Sequence, residues 1–215
     1  MDQDTTTKKG SHQKIIEDFE NKKANILVGT QMIAKGLDFD NVTLVGVINA
    51  DQTLNIPDFR SSEKTFAMLC QVSGRAGRKK DGSLVIIQGF NLEHYSINYT
   101  KNHDYDSFYN EEIKLRKKLN YPPFTDLILI KITSNDYDLA MIESKKIGAY
   151  LAKNNINFLG PNAAMIPKIN NKYILQLIIK TKKLNEIYEN IKYIKEKYNT
   201  NIKVNIDVDL SPIKL

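Results

Sequence analysis

The run Asn120-Tyr121-Pro122-Pro123-Phe124 divides the chain. Each proline lacks a backbone donor and clashes with a preceding helical turn, so no helix continues through the pair. The patterns on either side differ in kind, which makes the break a domain boundary rather than an ordinary turn. The expected division is 1–103 for a first α/β region, 104–124 for a helical bridge ending in Tyr-Pro-Pro-Phe, and 125–215 for a second domain. At 215 residues the chain has room for one large domain or two small ones.

Before the break, Ser11 to Asn21 has helical spacing through Ile15, Ile16 and Phe19. Asn25–Thr30, Val42–Ile48 and Leu84–Gln88 are short apolar runs, read as buried strands, and Ser61–Val72 is read as a helix between the last two. Strands apolar throughout and separated by helices predict a mostly parallel sheet covered on both faces, with ligands at its carboxyl edge near Gly29-Thr30-Gln31 and Asp51. A helix over Asp106–Leu119 leads into the break. After it the order is strand (Leu127–Thr133), helix (Asp138–Lys153), extended segment (Phe158–Ile169), Asn170-Asn171 turn, strand (Lys172–Lys180), helix (Leu184–Tyr198) and strand (Val204–Val208). That is the β-α-β-β-α-β order of a ferredoxin-like unit, a fold that names no function by itself.

Hydrophobic residues make up 41% and charged residues 26%, which suits a packed globular chain. There is no apolar run of membrane-spanning length and no charged tip followed by an apolar stretch, so neither a membrane span nor a secretory leader is expected. Cys70 is the only cysteine and cannot form an internal disulfide; with three histidines and no paired cysteines, no zinc site is visible and a reducing, cytoplasmic setting is expected. The formal charge of +6 is distributed unevenly: residues 1–100 hold 12 basic and 12 acidic groups, residues 101–215 hold 19 and 13. The basic second part invites a polyanion such as a nucleic-acid backbone, with a solvated lysine surface as the plainer alternative.

Arginine usage is sharper than charge. Against 27 lysines there are only four arginines, Arg60, Arg75, Arg78 and Arg116. A planar guanidinium is the residue of choice for bidentate phosphate recognition. Arg75 and Arg78 lie three apart in Gln71-Val72-Ser73-Gly74-Arg75-Ala76-Gly77-Arg78, where small residues let a phosphate approach; as single residues they would equally suit a basic helix terminus. In Gly29-Thr30-Gln31-Met32-Ile33-Ala34-Lys35-Gly36-Leu37-Asp38-Phe39, a hydroxyl, an amide and an ammonium are aligned on one loop before a carboxylate, which suits a nucleic-acid backbone. Otherwise Asp38 is a cap and Lys35 a solvated side chain.

The two segments, about forty residues apart, resemble motifs V and VI of superfamily 2 helicases. With Asp2-x-Asp4-Thr5-Thr6, Lys8-Lys9-Gly10-Ser11, Pro57-Asp58-Phe59-Arg60-x-x-Glu63-x-x-Phe66 and Tyr121-Pro122-Pro123-Phe124, they are similar to the replication-restart helicases of the primosomal protein N-prime family, from about Asp2 to Asp209. The resemblance implies an incomplete second RecA-like lobe followed by a ferredoxin-like C-terminal domain. It implies that Arg75 and Arg78 reach ATP phosphates, Arg78 as an arginine finger, with Gln71 supporting the nucleotide site and Gly36 and Asp38 bordering it. Thr30, Gln31 and Lys35 would touch the translocated strand, while Lys168, Lys172, Lys180 and Tyr173 of the C-terminal domain would add DNA contacts. Leu37 stands where the family usually has His, Asp40 where it has Pro, and Ile174-Leu175 where an Arg-aromatic pair is common. From the residues alone, Tyr173 also fits a strand position packing its own face.

No G-x-x-x-x-G-K-[ST] phosphate loop occurs in the 215 residues, and no acidic metal-binding motif precedes residue 25. Only the arginine half of an ATP and Mg2+ site is expected here, so these residues read as the tail of a larger motor, inactive alone as an ATPase. The resemblance places the family's zinc segment outside the matched region. It implies 3′ to 5′ movement on DNA and, as partners, forked and single-stranded DNA, single-stranded DNA-binding protein and other primosome proteins. The alternatives are a stand-alone DNA-binding module with relic motifs, and a protein-interaction domain for acidic tails.

Overall fold

The computed structural model describes Met1 and residues 10–30, 42–74, 84–198 and 203–212. The chain separates into two units, Met1–Ile56 with Arg60–Glu111, and Pro57–Phe59 with Glu112–Leu215.

In the first unit, α1 (Ser11–Glu20) follows Gly10, whose φ of 86° suits a residue without Cβ. Strands β1 (Leu44–Val47) and β2 (Leu84–Ile87) pair in parallel, Leu44 opposite Leu84 and Val47 opposite Ile87. A 3-10 turn (Gln52–Asn55) and α2 (Ser61–Ser73) connect them, as a parallel pair requires. Val47 and Ile87 point to a small core of Ala50, Leu69 and Ile97, the last from α3 (Tyr95–Asn98). Phe66 of α2 stacks on Phe108 of α4 (Tyr105–Lys118) at 4.3 Å. The division between the units falls within α4, at Glu111 and Glu112.

Two expectations for this unit are corrected. The sheet is covered on one face only among the described residues: Leu44 is 56% exposed, Leu84 55% and Ile86 51%, because α2 and α3 pack against the alternate positions. Nor is Asn25–Thr30 a buried strand, since Ile26 and Val28 are exposed. Among the described residues its long-range backbone bonds run to Met1, through the Met1 ammonium on the Val28 carbonyl and the Thr30 N–H on the Met1 carbonyl.

The second unit is the ferredoxin-like module, built from β3 (Asp126–Ser134), α5 (Tyr137–Lys153), β4 (Phe158–Ile169), β5 (Lys172–Thr181), α6 (Leu184–Tyr198) and β6 (Val204–Asp209). The sheet order is β4-β5-β3-β6, antiparallel throughout. Ile128, Ile130 and Ile132 of β3 and Leu175, Leu177 and Ile179 of β5 alternate onto one face. There they meet Ala140, Ile147 and Leu151 of α5 and Ile187, Ile191 and Ile194 of α6, the stripes expected of helices docked on a sheet.

Local chemistry sets the boundaries. Asp136 caps α5 by accepting the Leu139 N–H at 3.1 Å. Asn170 and Asn171 turn the β4–β5 hairpin with φ of 48° and 62°, the left-handed pair that asparagine tolerates in a two-residue turn. Pro161 and Pro167 lie in β4, an edge strand with irregular register, where a missing donor costs no interior ladder bond. No described helix is long and apolar enough to cross a membrane.

Candidate nucleotide and nucleic-acid sites

Of the residues expected at the nucleotide and at the translocated strand, Gln31, Lys35, Gly36, Asp38, Arg75 and Arg78 lie outside the described residues. Gln71 is exposed on the last turn of α2. Thr30 is exposed beside its backbone bond to Met1.

Asp51, at the carboxyl edge of β1 where ligands were expected, is instead a loop clamp. Its Oδ2 accepts the N–H groups of Phe90 and Asn91, both at 2.9 Å, and the residue is 6% exposed. Gly89 is needed there, because a Cβ would come within 2.9 Å of Asp51 Oδ1. The Asn91 N–H above all, then Asp51's own N–H and that of Phe90, hold the carboxyl below the usual carboxylate range against the opposing effect of burial. The folded state therefore binds the proton less readily than the unfolded state, and the carboxylate stabilises the fold at neutral pH. That contribution is lost as pH falls from about 3.9, the unfolded value, through the lower folded one. Asp51→Asn should melt earlier than the wild type at pH 7, with the gap closing in acid; a gap independent of pH would contradict the clamp.

In the second unit, register brings three lysines to one end of the four-stranded sheet. Lys168 pairs with Tyr173, Lys172 with Ile169, and Ser134, the last residue of β3, lies between Tyr173 and Val204. Lys203 precedes Val204 and so joins the same end. Lys168 Nζ sits 4.5 Å from the Tyr173 ring centroid and donates to its hydroxyl at 3.3 Å, while Tyr137 meets that ring edge-on at 5.5 Å. The Lys172 side chain is exposed and makes no ion pair or hydrogen bond among the described residues. Asp136 at this end is engaged as the helix cap, whereas Asp126 and Asp209 lie toward the other end of the strands.

Lys180 is not part of this group. Its side chain lies on the sheet face opposite the helices, donates to the Leu119 carbonyl at 3.0 Å and lies 3.6 Å from the Tyr121 ring centroid. Burial lowers its pKa from the ordinary lysine value. Tyr121 stacks on Phe59 at 5.2 Å with the planes 8° apart, and the Arg116 guanidinium lies 5.1 Å from the Phe59 centroid. Arg116 Nε donates to Glu112 Oε1 at 2.7 Å, with both side chains largely buried. The structure thus joins Phe59 of Pro-Asp-Phe-Arg to Tyr121 of Tyr-Pro-Pro-Phe within one unit. The scarcity of arginine singled out Arg116, but nothing in its surroundings along the chain revealed this partner, 57 positions away in numbering.

A parallel strand pair backed by α2 is followed by a ferredoxin-like module, an α/β region joined to a C-terminal domain. Residues 3–80 match the helicase conserved C-terminal domain and residues 117–213 match the primosomal protein N C-terminal domain. The replication restart protein PriA of Bacillus subtilis (strain 168) is 47% identical over 218 residues, covering 99% of this chain and 27% of the relative. Its counterpart in Borreliella burgdorferi is 40% identical over 206 residues, covering 93% and 31%. The chain belongs to the replication restart protein PriA family and matches its C-terminal portion. It spans between about a quarter and a third of the length of these relatives.

Proposed function

We propose that residues 1–215 supply the second-lobe arginines and a DNA-binding domain to an ATP-dependent 3′ to 5′ DNA helicase that restarts stalled replication forks and starts primosome assembly. The work divides at the bridge: 1–103 is the nucleotide-facing lobe, 104–124 the connecting helix and turn, and 125–215 the fork-binding domain. The observation that carries the DNA reading is the gathering of Lys168, Lys172 and Lys203 with Tyr173 and Tyr137 at one end of the sheet. Lysines neutralise backbone phosphates and exposed ring faces stack on unpaired bases. Lys180 was expected among these contacts; its ammonium is engaged by the Leu119 carbonyl and the Tyr121 ring, so it is left out of the proposed DNA surface.

The nucleotide reading is supported by the helicase-domain match over residues 3–80 and by Gln71, four positions before Arg75 in the sequence, standing exposed on its helix. Arg75 and Arg78 would neutralise phosphate oxygens, and Gly36 and Asp38 would border the same nucleotide; ATP with Mg2+ supplies the phosphoryl group whose hydrolysis drives movement. With no phosphate loop in these residues, 1–215 alone should show no ATP turnover, and turnover abolished by Arg78→Ala would refute this. Single-stranded DNA-binding protein and other primosome proteins are the protein partners, and the cytoplasm the compartment.

Binding of 1–215 to a forked oligonucleotide across a salt series tests the DNA reading. A log-log slope of about −1.4 to −2.7 is expected, from two or three phosphates neutralised at roughly 0.7–0.9 each. Absence of binding at low salt, with retention of an acidic peptide, would instead make the lysine end a protein-docking surface.

A further inference from the structure

At this end of the sheet Lys172 and Lys203 help to line a pocket of about 470 Å³. It is formed where the turn between β3 and α5 meets the starts of β5 and β6, and Ser134, Asn135, Lys172, Lys203 and Asn205 contribute to its lining. Its size falls within the ordinary range for ligand pockets, roughly 300–1,000 Å³. The lining chemistry is that of an anion site. Lys172 and the side-chain amides of Asn135 and Asn205 have no hydrogen-bond partner among the described residues. Ser134 is 2% exposed and its Oγ accepts the Asp136 N–H at 3.1 Å, which leaves the hydroxyl proton available to donate. The carboxylate at the rim, Asp136, faces the first turn of α5 through its bond to Leu139 N–H, which offsets its repulsion of an incoming anion.

We propose that this pocket seats one backbone phosphate of single-stranded DNA, with Lys172 and Lys203 neutralising it and Ser134, Asn135 and Asn205 donating hydrogen bonds. The inference rests on the DNA-binding reading and narrows it. Tyr173, across the ladder from Ser134, and its edge partner Tyr137 place aromatic rings at the same sheet end, where a neighbouring base can stack. A seated phosphate fixes the strand's position, whereas a lysine-coated surface only raises its local concentration.

The test is fluorescence anisotropy of a labelled single-stranded oligonucleotide with the 215-residue chain over a salt series, circular dichroism confirming that each variant is folded. Lys172→Gln with Lys203→Gln should weaken binding about tenfold at moderate salt and reduce the slope by about 0.7 or more. The control pair Lys192→Gln with Lys195→Gln, on the exposed face of α6 and with the same loss of charge, should weaken it less than about twofold. Asn205→Ala changes no charge and should weaken binding about threefold with the slope unaltered, an effect that bulk electrostatics does not produce. Equal losses for the two lysine pairs, with Asn205→Ala silent, would overturn the pocket and leave DNA binding standing. Binding that needs a 5′-terminal phosphate would overturn the backbone assignment. No wild-type binding at low salt would overturn the pocket and the DNA reading together.

Discussion

Arg116→Ala is expected to destabilise the C-terminal unit by about 3 kcal/mol, the cost of breaking a largely buried ion pair. The side chains of Arg116 and Glu112 are 14% and 9% exposed, with the 2.7 Å bond between them poorly reached by water. The same substitution removes the guanidinium from the face of Phe59, which is itself stacked on Tyr121, which in turn carries the Lys180 ammonium. A cation over a desolvated ring contributes up to roughly 2 kcal/mol, a share already inside that total rather than added to it. Arg116→Lys keeps the charge but loses the planar fork, and should retain roughly half of the stabilisation. Hydrogen exchange at the β3, β5 and β6 amides reads the effect in this unit alone, which a global melt of two units does not. A loss below about 0.5 kcal/mol, the level of an exposed ion pair, would mean that the stack is decorative.

Gly160→Ala should cost on the order of 3 kcal/mol or more. Gly160 has φ of +102°, a conformation disfavoured by any Cβ, and a Cβ there would lie 2.6 Å from the Gln176 carbonyl oxygen. That oxygen belongs to the β5 backbone, so relief requires moving the edge strand β4 away from its partner. Gly46→Ala in β1 is the matched control: among the described residues nothing lies within 4 Å of its Cβ position, and alanine should be neutral or slightly stabilising. Denaturant unfolding of the two variants against the wild type decides the matter. Equal effects would show that the close approach at Gly160 relaxes without cost.

The C-terminal module was legible because its signals are local. The Leu184–Tyr198 helix, the Asn-Asn hairpin turn and the alternation along β5 each follow from residues within a few positions of one another, and the strand order follows from the connection lengths. The first unit was less legible. Asn25–Thr30 has a strand's composition, but a parallel strand exists only through distant neighbours, and its apolar residues stand exposed. Asp51 lay at a strand's carboxyl edge where ligands were expected, yet its two N–H partners, about forty residues on, engage it as a loop clamp. Lys172 and Tyr173 were visible as a charge and a ring on one strand. Their companions come from elsewhere, Asn135 from the β3–α5 turn and Lys203 and Asn205 from the start of β6, and only the antiparallel register brings them together. Lys180 shows the converse: identical in type to Lys172 and eight residues away on the same strand, it points to the opposite sheet end and is held by a carbonyl.

The lysine end of the sheet is the centre of the functional account, and hydroxyl-radical footprinting of the 215-residue chain with and without forked DNA addresses it directly. Protection is expected at Tyr137 and Tyr173 and along 133–137, 168–173 and 203–205, with the exposed faces of α5 and α6 left unchanged. Protection confined to those helices, around Lys145, Lys146, Lys192 and Lys195, would contradict the account and move the DNA to the opposite side of the module.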